Sequence, residues 1–208
     1  MATRQVVLLL HGLWMGPWAM KWLEDELSEA GFGTQSLTLH SMSDSPETHV
    51  ATLAETVVKV EADRIHLLGH SLGGVIILRY LQNATGERMG RALLLGTPAM
   101  GCQAARQLDS QPWGGVLGSS RDLWLAPFSQ SVPGNFEVGA IAGDHAFGLG
   151  SLFTSLDGPS DGVVTVEETR IAGLRDHIVL HVSHSMMLIS AEVARQATLF
   201  LKTGRFLK

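Results

Sequence analysis

The chain has 208 residues, of which 45% are hydrophobic and 17% are charged, and its formal net charge is −5 at pH 7. This composition predicts one globular domain over residues 1–208 with a substantial core, and it excludes a disordered chain. The acidic balance leaves no basic stripe to meet phosphates, so no nucleic-acid partner is expected. The single cysteine, Cys102, excludes an internal disulfide and is interpreted as a buried small hydrophobe.

The apolar runs are too short to cross a membrane, because a spanning helix needs about 20 apolar residues. The first run, residues 6–10, is followed at once by His11 and Gly12, which leaves no room for a signal sequence with its cleavage site. We therefore expect a cytoplasmic protein without stable membrane insertion.

Short apolar runs alternate with helical segments along the chain, a pattern typical of a mostly parallel sheet covered by helices on both faces. Ser45 and Pro46 form the clearest helix start, a capping residue followed by proline in the first turn. The expected strands are 6–10, 33–39, 65–68, 91–95, 136–141 and 178–182. The expected helices are 17–30, 46–62, 72–83 and 186–201.

Residues 97–135 interrupt this alternation with four of the seven prolines and many Gly, Ser and Gln residues. Long loops in compact domains are usually functional. The segment is predicted to be an irregular excursion or a short helical cap.

The sequence Gly69-His70-Ser71-Leu72-Gly73-Gly74 joins a predicted strand to a predicted helix. In the pattern G-x-S-x-G, a serine sits in a strained turn whose neighbours press against the strand and the helix, so only small residues fit beside it. This turn lifts the Ser71 hydroxyl clear of the sheet and places it at a helix N-terminus, where a developing anion is favoured. Ser71 is therefore the candidate nucleophile.

A serine nucleophile needs a base, and the base needs an orienting acid. Asp161 follows the fifth predicted strand at the same sheet edge as Ser71, and Asp157 and Asp144 are its rivals. His184 follows the last predicted strand and is the candidate base. Of the other histidines nearby, His177 opens that strand at the wrong end and His181 lies within it.

Acyl transfer also needs backbone N–H donors for the developing oxyanion. Leu72 follows the nucleophile and supplies one donor. The loop after the first strand supplies the second, for which Leu13 is the choice, since Gly12 lets the backbone turn toward the substrate.

Trp14, Trp18 and Trp22 recur every four residues and are expected to share a helix face that packs into the core. Trp14 is also a candidate to line an acyl pocket. If residues 97–135 cover the edge that carries Ser71, their apolar side chains form a wall for the substrate, and otherwise they anchor the loop. These side chains are Trp113, Leu123, Trp124 and Phe128. The adjacent Asp144 and His145 do not make a metal site, and no metal or cofactor is expected.

Together these motifs resemble the α/β-hydrolase superfamily, and within it the small bacterial lipases and esterases. His11-Gly12-Leu13, Gly69 to Gly74, Leu95-Gly96-Thr97-Pro98, Asp161-Gly162-Val163-Val164 and His184 carry the resemblance in the family order. It implies Ser71 as nucleophile, Asp161 as acid, His184 as base, and the Leu13 and Leu72 amides as oxyanion hole. It also implies a minimal α/β-hydrolase fold of about six mostly parallel strands with a short cap.

The expected activity is hydrolysis of a small-molecule carboxylic ester through an acyl-enzyme. A thioesterase or an acyltransferase would use the same triad. A hydrolase fold that serves only for binding is the alternative from another class, and such a protein should lack a triad member.

Overall fold

Six parallel strands form one sheet in the computed structural model of the chain, which describes residues 3–112, 114–128, 130–147 and 156–208. The order across the sheet is β2-β1-β3-β4-β5-β6. The strands are β1 (Gln5–Leu10), β2 (Gly33–Leu37), β3 (Arg64–His70), β4 (Met89–Leu95), β5 (Glu137–Gly143) and β6 (Asp176–Leu180). The predicted minimal sheet is confirmed.

The central strands are buried on both faces, as their continuous apolar runs require. Because side chains alternate along a strand, Leu8 and Leu10 face one core while Val7 and Leu9 face the other. Six helices in the described ranges flank the sheet. They are α1 (Lys21–Glu29), α2 (Pro46–Lys59), α3 (Leu72–Leu81), α4 (Gln103–Asp109), α5 (Arg121–Leu125) and α6 (Ala191–Thr203).

Side-chain caps and a left-handed glycine fix the ends of α2 and α6. Ser45 caps α2 with its Oγ, which accepts the N–H of Thr48 at 3.2 Å, and Pro46 begins the helix. Ser190 caps α6 in the same way, at 3.4 Å from the Val193 nitrogen, and Gly204 ends it with a φ of 77°.

Two predicted helices are shorter than expected, because 3₁₀ turns precede them. Pro17–Met20 is a 3₁₀ turn, so α1 begins only at Lys21. Ser185–Ile189 is another, so the last helix begins at Ala191 rather than at 186.

The last strand lies two residues earlier than predicted. Its Leu180 pairs with Gly143, and both strands end together at that register. His184 therefore follows the strand by four residues, at the end of a short connection.

The 97–135 segment crosses the carboxyl edge of the sheet. It leaves β4, forms α4, a 3₁₀ stretch (Gly114–Ser120) and α5, and reaches the loop after β2. There the Ser120 hydroxyl donates to the Ser41 carbonyl at 2.6 Å. Since β1 and β3 lie between β2 and β4, the segment spans the two strands that precede Gly12 and Ser71.

No helix within the described ranges is long and apolar enough to cross a membrane.

Candidate active site

Ser71 occupies a sharp turn between β3 and α3. Its φ of 56° and ψ of −118° lie in a region that non-glycine residues rarely adopt, and such strain costs about 1–3 kcal/mol. The Ser71 N–H is held by the Leu95 carbonyl at 2.8 Å, which fixes the turn to the neighbouring strand.

Glycines on both sides of Ser71 allow this close packing. A Cβ on Gly73 would lie 2.3 Å from the Leu10 carbonyl oxygen, and one on Gly69 would lie 2.5 Å from the Gly74 nitrogen. Both distances are shorter than van der Waals contact, so the predicted steric reason for the motif holds in the structure.

The three residues proposed as triad lie in hydrogen-bonding sequence. Ser71 Oγ is 2.9 Å from His184 Nε2, and His184 Nδ1 is 2.7 Å from Asp161 Oδ2. All three side chains are buried. With Nδ1–H donated to Asp161, the lone pair of Nε2 faces the Ser71 hydroxyl, which is the arrangement that a general base needs.

The second carboxylate oxygen of Asp161 is held by its own loop. Its Oδ1 accepts the backbone N–H groups of Val163 at 2.9 Å and Val164 at 2.8 Å. The His184 N–H also donates to the Asp161 carbonyl at 2.9 Å, so the backbones of acid and base are joined directly.

Gly96 makes room between Asp161 and His184. Its φ is +51°, and a Cβ there would lie 2.9 Å from Asp161 Oδ2 and 3.0 Å from His184 Nδ1. Any side chain would wedge between the two partners. The sequence contained this glycine in the Leu95-Gly96-Thr97-Pro98 motif, but not its place beside the triad.

His70 supports the base through the backbone. Its Nε2 donates to the His184 carbonyl at 3.0 Å, and the two rings lie 4.6 Å apart between centroids. Burial, with His184 as a smaller cause, holds the pKa of His70 well below its ordinary value. The neutral ring therefore keeps its one N–H for this contact.

His11 shapes the loop that carries Leu13. Its Nε2 accepts the Leu39 N–H at 3.1 Å, so its Nδ1 carries the proton that is donated to the Gly12 carbonyl at 2.8 Å. Burial lowers the pKa of His11, which favours this neutral form. In a trans peptide the carbonyl and the next N–H point in opposite directions, so the Leu13 N–H points away from His11.

Gly12 brings this loop against the nucleophile, because a Cβ on Gly12 would lie 3.2 Å from the Ser71 Cβ. Leu72 is the first residue of α3, where a backbone N–H has no partner inside the helix. The two predicted oxyanion donors thus belong to segments that meet at Ser71.

A model of the alpha/beta hydrolase family matches residues 7–196, nearly the whole chain. The chain belongs to this family. No curated protein sequence matches it.

Solved structures of similar fold share little sequence with this hydrolase. The mature lipase BlEst2 of Bacillus licheniformis superposes with a TM-score of 0.81 at 17% identity, covering 98% of this chain and 92% of that one. The esterase EaEST of Exiguobacterium antarcticum gives 0.71 at 16% identity, covering 98% and 94%. A bromoperoxidase of Bacillus anthracis gives 0.72 at 15% identity, covering 97% and 93%. At these identities the likeness shows the fold alone.

The rival acids and bases make contacts with other residues. Asp144 pairs with the exposed His181 at 3.0 Å, and His177 contacts the Thr169 hydroxyl at 2.9 Å. The Asp157 N–H contacts the Gln103 side chain at 3.3 Å. Within the part of the chain that the structure describes, no three His, Cys, Asp or Glu residues are grouped to hold a metal.

The tryptophan prediction was wrong in its geometry. Trp14 lies in the turn before the 3₁₀ stretch, with a φ of 58°, so it shares no helix face with Trp18 and Trp22. Trp14 and Trp18 are 60% and 75% exposed, so they do not pack into the core. The reason is the loop after β1, which turns sharply to bring Gly12 against Ser71.

The predicted wall of the substrate site is partly inside the protein. Leu123 and Trp124 are buried in the core under α5, and Phe128 is half-buried against the same core. In this structure they anchor the 97–135 segment. Trp113 lies outside the described residues.

An apolar rim follows the carboxyl ends of the strands instead. Its members are exposed apolar side chains in the segments that leave this edge, and only Trp14 among them could be singled out from the sequence. They are Trp14, Met42, Met100, Phe147 and Met186.

Proposed function

We propose that this alpha/beta hydrolase cleaves carboxylic esters through an acyl-enzyme formed on Ser71. The observation that carries the proposal is the continuous hydrogen-bond sequence from Ser71 through His184 to Asp161. Since the fold also hosts a protein named as a bromoperoxidase, the fold alone would not carry it. The names lipase and esterase among similar structures agree with the proposal.

In the first half of the reaction, Ser71 Oγ attacks the ester carbonyl while His184 Nε2 takes its proton. The Leu13 and Leu72 N–H groups stabilise the oxyanion. The tetrahedral intermediate collapses as His184 gives the proton to the leaving alcohol, and the acyl group stays on Ser71.

In the second half, His184 takes a proton from water, and the resulting hydroxide attacks the acyl carbonyl. His184 then returns the proton to Ser71 Oγ, which leaves, and the carboxylic acid is released. No metal or cofactor is required by these steps.

The apolar rim supports an ester with an apolar acyl group. Trp14 lies beside Leu13, one of the proposed oxyanion donors, and Met186 lies two residues after His184. Both side chains are exposed. Burying them against a substrate chain would release about 25 cal/mol for each Å² removed from water.

The test is hydrolysis of p-nitrophenyl esters from acetate to laurate by the wild type and by Ser71→Ala, with fluorophosphonate labelling of both. We expect label and activity in the wild type alone, and increasing kcat/KM as the acyl chain lengthens over the rim. A wild type that cleaves no ester and takes no label would reject the proposal. Ester as the main product, when an alcohol acceptor is added, would favour the acyltransferase instead.

A further inference from the structure

Glu168 is a buried carboxylate that the proposed reaction does not use. It lies in the 3₁₀ turn Glu167–Thr169 and is 5% exposed. Its Oε2 accepts the Thr165 N–H at 2.8 Å, while the Glu168 N–H donates to Thr165 Oγ1 at 3.2 Å. This reciprocal pair is a capping box, which explains one oxygen of the carboxylate.

The other carboxylate oxygen of Glu168 contacts the 97–135 segment. Glu168 Oε1 accepts the Gln103 N–H at 2.5 Å, and Gln103 is the first residue of α4. Two further hydrogen bonds join the residues just before α4 to the segment that contains Val163 and Glu168. The Met100 N–H donates to the Glu168 carbonyl at 3.0 Å, and Cys102 Sγ lies 3.5 Å from the Val163 carbonyl.

Residues 160–165 form the acid loop, and this loop is short and tightly bonded. Ser160 and Thr165 pair as an antiparallel bridge, and the Asp161 N–H donates to the Val164 carbonyl at 3.1 Å. Thr165 directly follows Val164, whose N–H holds Asp161 Oδ1. A displacement of Thr165 therefore moves a donor that orients the catalytic carboxylate.

We propose that Glu168 is a positioning residue that couples the start of α4 to the acid loop and so sets the Asp161–His184 contact. The inference rests on the proposed function, because it assigns Asp161 the role of orienting acid. One carboxylate satisfies two backbone donors from segments 62 residues apart, Gln103 and Thr165. When α4 shifts, the acid loop shifts with it.

The chain offers a matched pair of variants at Gln103. Proline is tolerated at the first helical position and needs an extended residue before it, which Cys102 is, with a ψ of 116°. Gln103→Pro removes the N–H and places a ring carbon against Glu168 Oε1. Gln103→Ala keeps the N–H, and both variants lose the side-chain contact with Asp157.

We expect Gln103→Pro to lower kcat roughly 10-fold or more, with KM changed less than about 2-fold, because small displacements of a catalytic group are costly. Gln103→Ala should keep the wild-type kcat. The low-field proton resonance of His184 Nδ1–H reports the same contact without any substrate. It should move in Gln103→Pro and stay in Gln103→Ala.

Two further variants separate positioning from general stability. Glu168→Gln can accept at only one of its two ends, so it should lower kcat and move the His184 resonance even if Gln103→Pro fails to fold. Val57→Ala removes core contacts in α2 and should lower the free energy of unfolding with kcat unchanged.

Equal kcat and equal resonance in the Gln103 pair and in Glu168→Gln would overturn the inference. So would a loss of kcat in Val57→Ala as large as that in Glu168→Gln at equal stability. An inert, unlabelled wild type would reject the proposed function instead, and the resonance would still decide whether Glu168 sets the Asp161–His184 contact.

Discussion

The two carboxylate oxygens of Asp161 have different partners, one in its own loop and the other in His184. Oδ1 accepts two backbone N–H groups and Oδ2 faces His184. If Asp161 were replaced by asparagine, the amide oxygen would take the place of Oδ1, because the two N–H donors there require an oxygen. The amide NH₂ would then face His184. Asparagine at position 161 therefore changes the tautomer of His184 rather than the shape of the site.

Asp161→Asn should retain the fold and lower kcat by about 10⁴-fold. The amide oxygen stays on the Val163 and Val164 donors, so the amide NH₂ meets His184 Nδ1 and forces the ring proton to Nε2. His184 then has no lone pair for Ser71. The measurement is kcat on a p-nitrophenyl ester, with circular dichroism as the check on folding.

Asp144→Asn is the matched control, because Asp144 directly follows β5, was a rival for the role of acid, and pairs with the exposed His181. Its kcat should remain at the wild-type level. A large loss of kcat in Asp144→Asn, with little loss in Asp161→Asn, would show that the acid is Asp144 and not Asp161.

The meeting of Ser71 and His184 could be predicted from sequence because each position is fixed by local pattern: a small-residue turn, and a position after the last strand. Asp161 competed with two neighbours, since an aspartate beside glycine is a common turn residue. Glu168 could not be predicted, because its partner Gln103 lies 65 residues away and only the folded chain brings them together.

Helix α3 packs so closely on strand β1 that glycine is required at the contact. The Leu10 carbonyl carbon would lie 2.7 Å from a Cβ on Gly73, besides its oxygen at 2.3 Å. Backbone atoms of a central strand cannot yield as a flexible side chain would. The distance between α3 and β1 therefore depends on Gly73 having no Cβ.

Gly73→Ala should therefore lower the free energy of unfolding by about 1–3 kcal/mol, the usual cost of overpacking. Gly115→Ala is the control, since nothing lies within 4 Å of its added Cβ, and it should change stability by less than about 0.5 kcal/mol. Urea unfolding monitored by tryptophan fluorescence measures both. Equal stability of the two variants would contradict the close packing.

The start of α2 was predicted to the residue, and the start of α6 was missed. Ser45 and Pro46 gave α2 its start to the residue. By contrast, the predicted last helix ran back to 186 through an apolar run, whereas Ser190 caps α6 and the residues before it form the 3₁₀ turn Ser185–Ile189.

His66 joins three strands across the middle of the sheet. It lies on β3, its Nδ1 accepts the Arg91 N–H of β4 at 2.9 Å, and its Nε2 donates to Gln5 of β1 at 3.0 Å. Burial, followed by the nearby arginines, lowers the pKa of His66 to about 4. The ring thus stays neutral in the folded state at a pH where the unfolded chain is protonated.

Stability should therefore fall as pH falls. The unfolded chain takes up the proton near pH 6.5 and the folded chain near pH 4, so between these values unfolding binds a proton and is favoured by acid. This group contributes at most about 1.4 kcal/mol for each pH unit in that window. Above it the contribution is complete.

His66→Gln should be less stable at neutral pH, because two interstrand contacts change, yet its stability should depend less on pH between about 4 and 6.5. The free energy of unfolding in urea at several pH values in that window measures the slope. An unchanged slope would show that His66 does not carry the pH dependence.

Cys102 lies at the junction of α4 and the acid loop, and its reaction with a thiol reagent can report when that junction opens. It is the chain's single thiol, it is wholly buried against Val163, and burial raises its pKa to about 12. A thiol-directed reagent can therefore react only when the junction opens, and each molecule can react only once. The rate of alkylation in the native protein then reports how often the junction beside the proposed acid Asp161 opens, a local motion that neither turnover nor global unfolding reports.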